Sequence, residues 1–172
     1  LGARFAKWRA VITIGNGIPS NACIHANAHA LARYAGLCQE ANIVPIVEPE
    51  ILMDGSHTIE KCYEVSSKTF RQVFIELELQ DIYLEGIVLK PNMVIPGLDC
   101  PQQSSVEEIA EYTYNCLKET VPLEVPGCAF LSGGQSSEVA TAHLNMMNSK
   151  YIDSLPWNLT FSYGRALQST AL

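Results

Sequence analysis

Ile43-Val44-Pro45-Ile46-Val47-Glu48-Pro49-Glu50 decides how the rest of the chain is read. Apolar, mostly β-branched residues run without a break and then give way to two glutamates two positions apart. An unbroken apolar run of that length predicts a strand covered on both faces, as in a parallel sheet, because a half-exposed strand would alternate apolar with polar. Pro49 favours an extended backbone at Glu48, and an extended backbone puts both carboxylates on one face at the strand's end.

Working outward, four more short, largely apolar runs suggest buried strands by their length and their β-branched or aromatic content: Ala10-Val11-Ile12-Thr13-Ile14, the stretch Ile82 to Leu89, Cys128-Ala129-Phe130-Leu131, and Trp157-Asn158-Leu159-Thr160-Phe161. Segments of helical spacing lie between them. Leu31, Tyr34, Ala35 and Cys38 recur at i, i+3, i+4 and i+7 in a helix read from Asn27 to Gln39. Cys62, Val65, Thr69, Phe70, Val73, Phe74 and Leu77 mark a longer amphipathic helix. Ser105 and Glu108 have capping-box spacing ahead of Ile109, Ala110, Thr113 and Leu117. A fourth helix is predicted from about Ser136, carrying Val139, Ala140, His143, Leu144 and Met147, and a fifth opens at Ala166 toward Leu172. Strand and helix alternate five times, the rhythm of βαβ units in an α/β fold with a parallel sheet, and no linker divides residues 1–172 into more than one domain.

A hydrophobic fraction of 48% with 17% charged residues predicts an ordinary globular core rather than disorder. The formal net charge of -7 argues against nucleic acid or an anionic membrane as a partner, since both attract a basic footprint. A phosphorylated small molecule stays open, because nearby amides and cations in a cleft outweigh distant, screened carboxylates. No stretch approaches the about 18 apolar residues that span a bilayer. Cys23, Cys38, Cys62, Cys100, Cys116 and Cys128 form no Cys-x-x-Cys pair and mostly fall in apolar periodic segments, so reduced thiols and a cytoplasmic location are expected. The chain starts without Met and enters a strand within a few residues, so a piece of a longer polypeptide is expected.

Active sites of α/β proteins lie beyond the carboxyl ends of the strands. The first strand region contains Lys7 and Arg9, two apart and so on one face of the strand, ahead of the apolar run; the second ends in Glu48-Pro49-Glu50, and the third in Lys90-Pro91-Asn92. The fourth gives Ser132-Gly133-Gly134-Gln135 before a helix, and the fifth Ser162-Tyr163-Gly164-Arg165. A lone lysine at a strand end is usually a solvated charge, and a Ser-Gly-Gly turn is a weak signal; their coincidence at every strand end makes a functional rim. A lysine among apolar neighbours and near a second cation such as Lys7 loses the stability of its ammonium, and its free amine attacks ketones. Dehydration of the carbinolamine so formed needs a carboxyl group, with Glu48 and Glu50 as candidates. The turn at Ser132, Gly133 and Gly134 offers backbone amides at a helix N-terminus, and Arg165 a guanidinium, both suited to a phosphate.

Five segments carry a family resemblance: Phe5-Ala6-Lys7-Trp8-Arg9, Val44 to Glu50, Leu84-Glu85-Gly86 with Leu89 to Met93, Phe130 to Ser136, and Leu159 to Gln168. In order and spacing they resemble the signature segments of class I, Schiff-base fructose-bisphosphate aldolases. The resemblance covers essentially all 172 residues. It implies part of a (β/α)8 TIM barrel, about strands 4 to 8 with the intervening helices, with three upstream strands and a C-terminal tail belonging to the rest of such a protein. It implies reversible aldol cleavage of fructose 1,6-bisphosphate in glycolysis and gluconeogenesis, without a cofactor, by a homotetramer. Lys90 would form the imine and Glu48 would act as general acid and base. Glu50 and Lys7 would assist, and Arg9 would lie beside the distal phosphate end. Ser132, Gly133, Gly134, Ser162, Gly164 and Arg165 would hold the phosphate nearest the ketone.

Two other functions share this fold: a truncated, non-catalytic binding or scaffold protein, and a lysine aldolase for a monophosphate or an unphosphorylated sugar. His25 and His29, at i and i+4, suit zinc in principle. No Glu follows His25, however, and His57 and His143 are not at strand ends, so these histidines are read as ordinary helix residues and no metal is expected.

Overall fold

The computed structural model describes residues 2–168 and 171. Its strands are β1 (Phe5–Ile12), β2 (Val44–Ile51), β3 (Val88–Leu89), β4 (Gly127–Phe130) and β5 (Asn158–Phe161). The helices are α1 (Asn21–Glu40), α2 (Ile59–Leu79), α3 (Val106–Thr120), α4 (Ser137–Tyr151) and α5 (Arg165–Gln168). Of the helix expected from Ala166 to Leu172, Ser169, Thr170 and Leu172 lie outside the described residues. The five strands pair in parallel and in sequence order, β1-β2-β3-β4-β5. A sheet wound in one direction, with no reversal of order, is the arc of a (β/α) barrel rather than a doubly wound sheet.

Each long helix starts where a hydroxyl can accept from a free amide of its first turn. Ser20 Oγ accepts from Cys23 N at 3.1 Å, Thr58 Oγ1 from Lys61 N at 3.3 Å, Ser105 Oγ from Glu108 N at 3.2 Å, and Ser136 Oγ from Val139 N at 3.3 Å. Such a cap contributes about 1 kcal/mol relative to alanine. The cap at Ser20 starts α1 well before Asn27, where the apolar spacing alone put it.

The core lies between the helices and one face of the sheet. Ala10 and Ile12 of β1, Val47 and Ile51 of β2, Leu89, Cys128, Phe130 and Leu159 are all buried on it. Leu31 and Ala35 of α1, Phe70, Val73 and Leu77 of α2, Leu117 of α3 and Met147 of α4 cover them. The two edge strands keep apolar side chains in solvent, with Trp8 52% and Phe161 49% exposed. Trp8 rests against Tyr34 of α1, ring centroids 6.0 Å apart.

One strand departs from the sequence reading. The expected strand Ile82 to Leu89 shrinks to two residues, because Leu84–Gly86 turns as a 3-10 helix. Gln39 explains this: its side chain donates to Tyr83 O at 2.8 Å and accepts from Tyr83 N at 3.1 Å, taking the backbone groups a strand neighbour would use. β1 starts at Phe5 and so contains Lys7 and Arg9 on one face, as expected, and β2 runs to Ile51, so Glu48 and Glu50 are a same-face pair on its extended C-terminal part.

Past β2 and β3 the chain forms two loops bound to each other. Gly97 N donates to His57 O at 2.8 Å, Leu98 N to Met53 O at 2.8 Å and Asp99 N to Gly55 O at 2.9 Å. The backbones meet so closely that a Cβ at Gly97 would lie 2.2 Å from Gly55 O and 2.7 Å from Gly55 C. Gly97→Ala is therefore expected to destabilise the full-length protein by about 1–3 kcal/mol, the usual cost of overpacking. A lowered urea midpoint at unchanged slope is the expected reading; an unchanged midpoint would mean the loops separate without cost.

Candidate active site

Register places the charged residues. Arg9 is the Cα partner of Glu48, and Ile46 and Val47 are the partners of Val88 and Leu89, so the next step sets Glu48 beside Lys90. Lys90 N donating to Val47 O at 2.8 Å fixes that step. Leu89 pairs with Cys128, and Ala129 with Thr160, so one row runs Arg9, Glu48, Lys90, Ala129, Thr160 across the face turned away from the helices. Side chains in one row of a parallel sheet point the same way, and charged members of the row meet.

Glu48 is the centre. It is 3% exposed; its Oε1 lies 3.1 Å from Lys90 Nζ and its Oε2 3.0 Å from Lys7 Nζ. Neither ammonium is aligned for a hydrogen bond to Oε2, so the pairing there is ionic contact alone. The sequence reading set Lys7 against Lys90 as like charges; the structure places a carboxylate between them as a shared counter-ion. A buried carboxylate is costly unless paired, and two cations meet that need. The Lys90 side chain is 12% exposed and that of Lys7 43%, so Lys90 is the enclosed amine and Lys7 the accessible one.

Glu50, 5% exposed, has a separate partner, since Arg9 Nε donates to its Oε2. That bond is the main cause that raises the Arg9 pKa further; burial opposes it. The two glutamates thus differ in surroundings: one shares its charge with two amines, the other is occupied by a guanidinium.

Asn92, two residues past Lys90, was not singled out from the sequence as a site residue. It is 4% exposed. Its Oδ1 accepts from Ile51 N at 3.0 Å, and its Nδ2 donates to Ser66 Oγ at 3.1 Å and Met93 O at 3.0 Å. One amide thereby ties the end of the glutamate strand, the segment after the lysine and helix α2.

The candidate phosphate groups lie at the same ends of the next strands. Leu131 N donates to Pro91 O at 3.2 Å and Ser162 N to Phe130 O at 2.8 Å, lacing the ends of β3, β4 and β5 together. Gly133 and Gly134 turn with φ of 63° and 93°, backbone that glycine adopts freely. Arg165 opens α5 with its side chain in solvent, and Ser162 and Gly164 are exposed beside it. Tyr163 is buried and packs near Phe161, centroids 5.1 Å apart, which anchors this segment. A cavity of about 800 Å³, lined in part by Phe74, Glu78, Tyr83 and Glu124, lies instead by the amino-terminal ends of β3 and β4 and contains none of these groups.

The histidines are less ordinary than the sequence implied. His25 Nε2 and His29 Nδ1 lie 3.2 and 3.0 Å from the two oxygens of Glu76, a carboxylate of α2 that is 3% exposed. They pin α1 to α2. His57 is in the loop after β2, not on a helix, and His143 of α4 is 4% exposed with Nδ1 2.7 Å from Gln135 Oε1. Spacing along the sequence carries no sign of these partners, which come from other elements.

The family model described as fructose-bisphosphate aldolase class-I matches residues 1–172. A probable class 1 fructose-bisphosphate aldolase of Xanthomonas axonopodis pv. citri is 61% identical over 172 residues, covering 100% of this chain and 51% of the relative. The Arabidopsis thaliana protein named fructose-bisphosphate aldolase 4, cytosolic, is 55% identical over 171 residues, 99% of this chain and 43% of its own length. Among solved structures, a Plasmodium falciparum fructose-bisphosphate aldolase in complex with TRAP and a small-molecule inhibitor superposes with a TM-score of 0.95 at 48% identity, over 99% of this chain and 49% of that one. The chain spans about half the length of the relatives it matches.

Burial lowers the pKa of both His57 and His143 from the usual 6.5. The unfolded chain then binds more protons than the folded one as pH falls through about 6.5, so stability falls on the acid side and is fully present above it. Urea midpoints of the full-length protein between pH 7.5 and 5.5 should decline, and His143→Gln should flatten part of the decline. A variant with the same slope would show that His143 does not contribute to it.

Proposed function

The chain belongs to the class I fructose-bisphosphate aldolase family, and from that premise we propose that the full-length protein cleaves fructose 1,6-bisphosphate reversibly through an imine on Lys90. The observation that carries the reading is the contact of Lys90 Nζ with Glu48 Oε1 at 3.1 Å, on a carboxylate that also meets Lys7. Glu48 takes a proton from the Lys90 ammonium, and the freed lone pair attacks the C2 carbonyl. The carbinolamine hydroxyl leaves as water with a proton returned by Glu48, which produces the iminium. Glu48 then removes the C4 hydroxyl proton. The C3–C4 bond breaks, its electron pair moves into the iminium to give an enamine, and glyceraldehyde 3-phosphate departs. Protonation at C3 and hydrolysis release dihydroxyacetone phosphate and restore the amine.

Because the iminium is the electron sink, the scheme calls for no cofactor. Lys7 keeps Glu48 oriented and balances its charge while the proton is away. Arg9, next to Glu48 in the row, lies beside the distal phosphate, and Glu50 assists by holding its guanidinium. The amides of Gly133 and Gly134, with Ser132, Ser162, Gly164 and Arg165, hold the phosphate on C1. In this reading the working protein is a cytoplasmic homotetramer, and a phosphorylated ketose is its ligand.

Borohydride reduction of the full-length protein with dihydroxyacetone phosphate is expected to leave a covalent adduct on Lys90, located by peptide mass. Lys90→Met should abolish the adduct and turnover while the protein stays folded; an adduct on another lysine would refute the assignment. Glu48→Gln should slow imine formation by roughly 10²- to 10⁴-fold, the usual worth of general acid–base catalysis. A normal rate in stopped-flow measurement would remove Glu48 from the mechanism.

A further inference from the structure

Gln135 has no part in the scheme so far, yet it lies between its two halves. Its Nε2 donates to Ser132 O at 2.9 Å and is 3.8 Å from Sδ of Met93, three residues past Lys90. Its backbone N also donates to Ser132 O, at 3.1 Å. With Nε2 turned to that carbonyl, Oε1 faces His143 Nδ1 at 2.7 Å, so His143 supplies the proton and carries it on Nδ1. His143 is 4% exposed on α4, and Gln135 is partly buried.

The turn needs such support. Two consecutive glycines at positive φ, Gly133 and Gly134, have wide backbone freedom, and freedom in an amide cradle weakens its hold on an anion. Two donors from Gln135 fix the carbonyl on which the turn begins, and the glutamine is fixed in turn by a buried imidazole. On the other side, a Cβ at Gly134 would come within 3.1 Å of Met53 Sδ, so the turn is also confined by the loop after β2.

We propose that Gln135 and His143 are positioning residues that set the distance and tilt of the Ser132-Gly133-Gly134 turn relative to Lys90, and so select ketones with a phosphate on the carbon beside the carbonyl. This rests on the lysine-imine reading above and deepens it. Neither residue touches the reacting atoms, so the loss on removing either appears in the hold on the phosphate and not in the chemistry of the amine.

The test uses borohydride trapping on Lys90 in the full-length protein, titrated separately with dihydroxyacetone phosphate and with dihydroxyacetone. For Gln135→Leu, and for Gln135→Glu as a second variant that keeps the shape but loses the donor, the concentration of dihydroxyacetone phosphate for half-maximal adduct should rise about 10-fold, in line with a lost buried hydrogen bond. The value for dihydroxyacetone should stay the same. His143→Leu should act in the same direction, and His143→Asn, which retains a donor, should recover part of the loss. Equal losses for both ketones, or no change for either while the unaltered protein is trapped normally, would overturn the relay and leave the lysine reading standing. No adduct in the unaltered protein would overturn both.

Discussion

The parallel register between β1, β2 and β3 is the constraint on which the rest depends. It sets Arg9, Glu48 and Lys90 in one row, on the face away from the helices, and the Glu48 carboxylate closes the gap to two amines. A slip of one residue in β3 would turn Lys90 into the layer of Leu89 and Cys128 and bring Leu89 to Glu48. The same alternation that buries Val47 and Leu89 therefore presents Glu48 and Lys90, and core packing enforces the geometry of the site. Asn92 adds a second lock, since its amide joins Ile51 at the end of β2, the carbonyl of Met93 and Ser66 of α2.

The fold separates these tasks between two faces. Helices cover one face of the arc with aliphatic and aromatic side chains, while the other carries ionisable groups and the small Ala129. Loops after the strands are tied to one another by backbone hydrogen bonds, at Gly97 with His57 and at Leu131 with Pro91, so the groups they carry are held along one rim. Exposed Trp8 and Phe161 mark the two edges of the arc, which covers about half of the relatives' length.

Much of this was legible in the sequence. Short, largely apolar runs marked the place of all five strands, though β3 keeps only two residues of its run, and apolar spacing marked the four long helices; the row of candidate residues follows once the strands are taken as parallel neighbours. Boundaries were less legible. The charges at Lys7, Arg9, Glu48 and Glu50 do not interrupt β1 and β2, since each is met by one on the neighbouring strand, whereas the start of α1 at its Ser20 cap lay outside the apolar spacing. The shortening of β3 depends on Gln39, 44 residues from Tyr83, and no local pattern reports such a contact. The same holds for Asn92 with Ile51 and His143 with Gln135: the side chains are ordinary, and only the folded chain shows what they hold.

A crystal structure of the full-length protein after borohydride reduction with dihydroxyacetone phosphate is the most direct test of the imine on Lys90. Continuous density should run from Lys90 Nζ to the former carbonyl carbon, with the Glu48 carboxylate within hydrogen-bonding distance of that junction and the phosphate between the Ser132-Gly133-Gly134 turn and Arg165. Density on Lys7 instead, or a phosphate away from that turn, would contradict it.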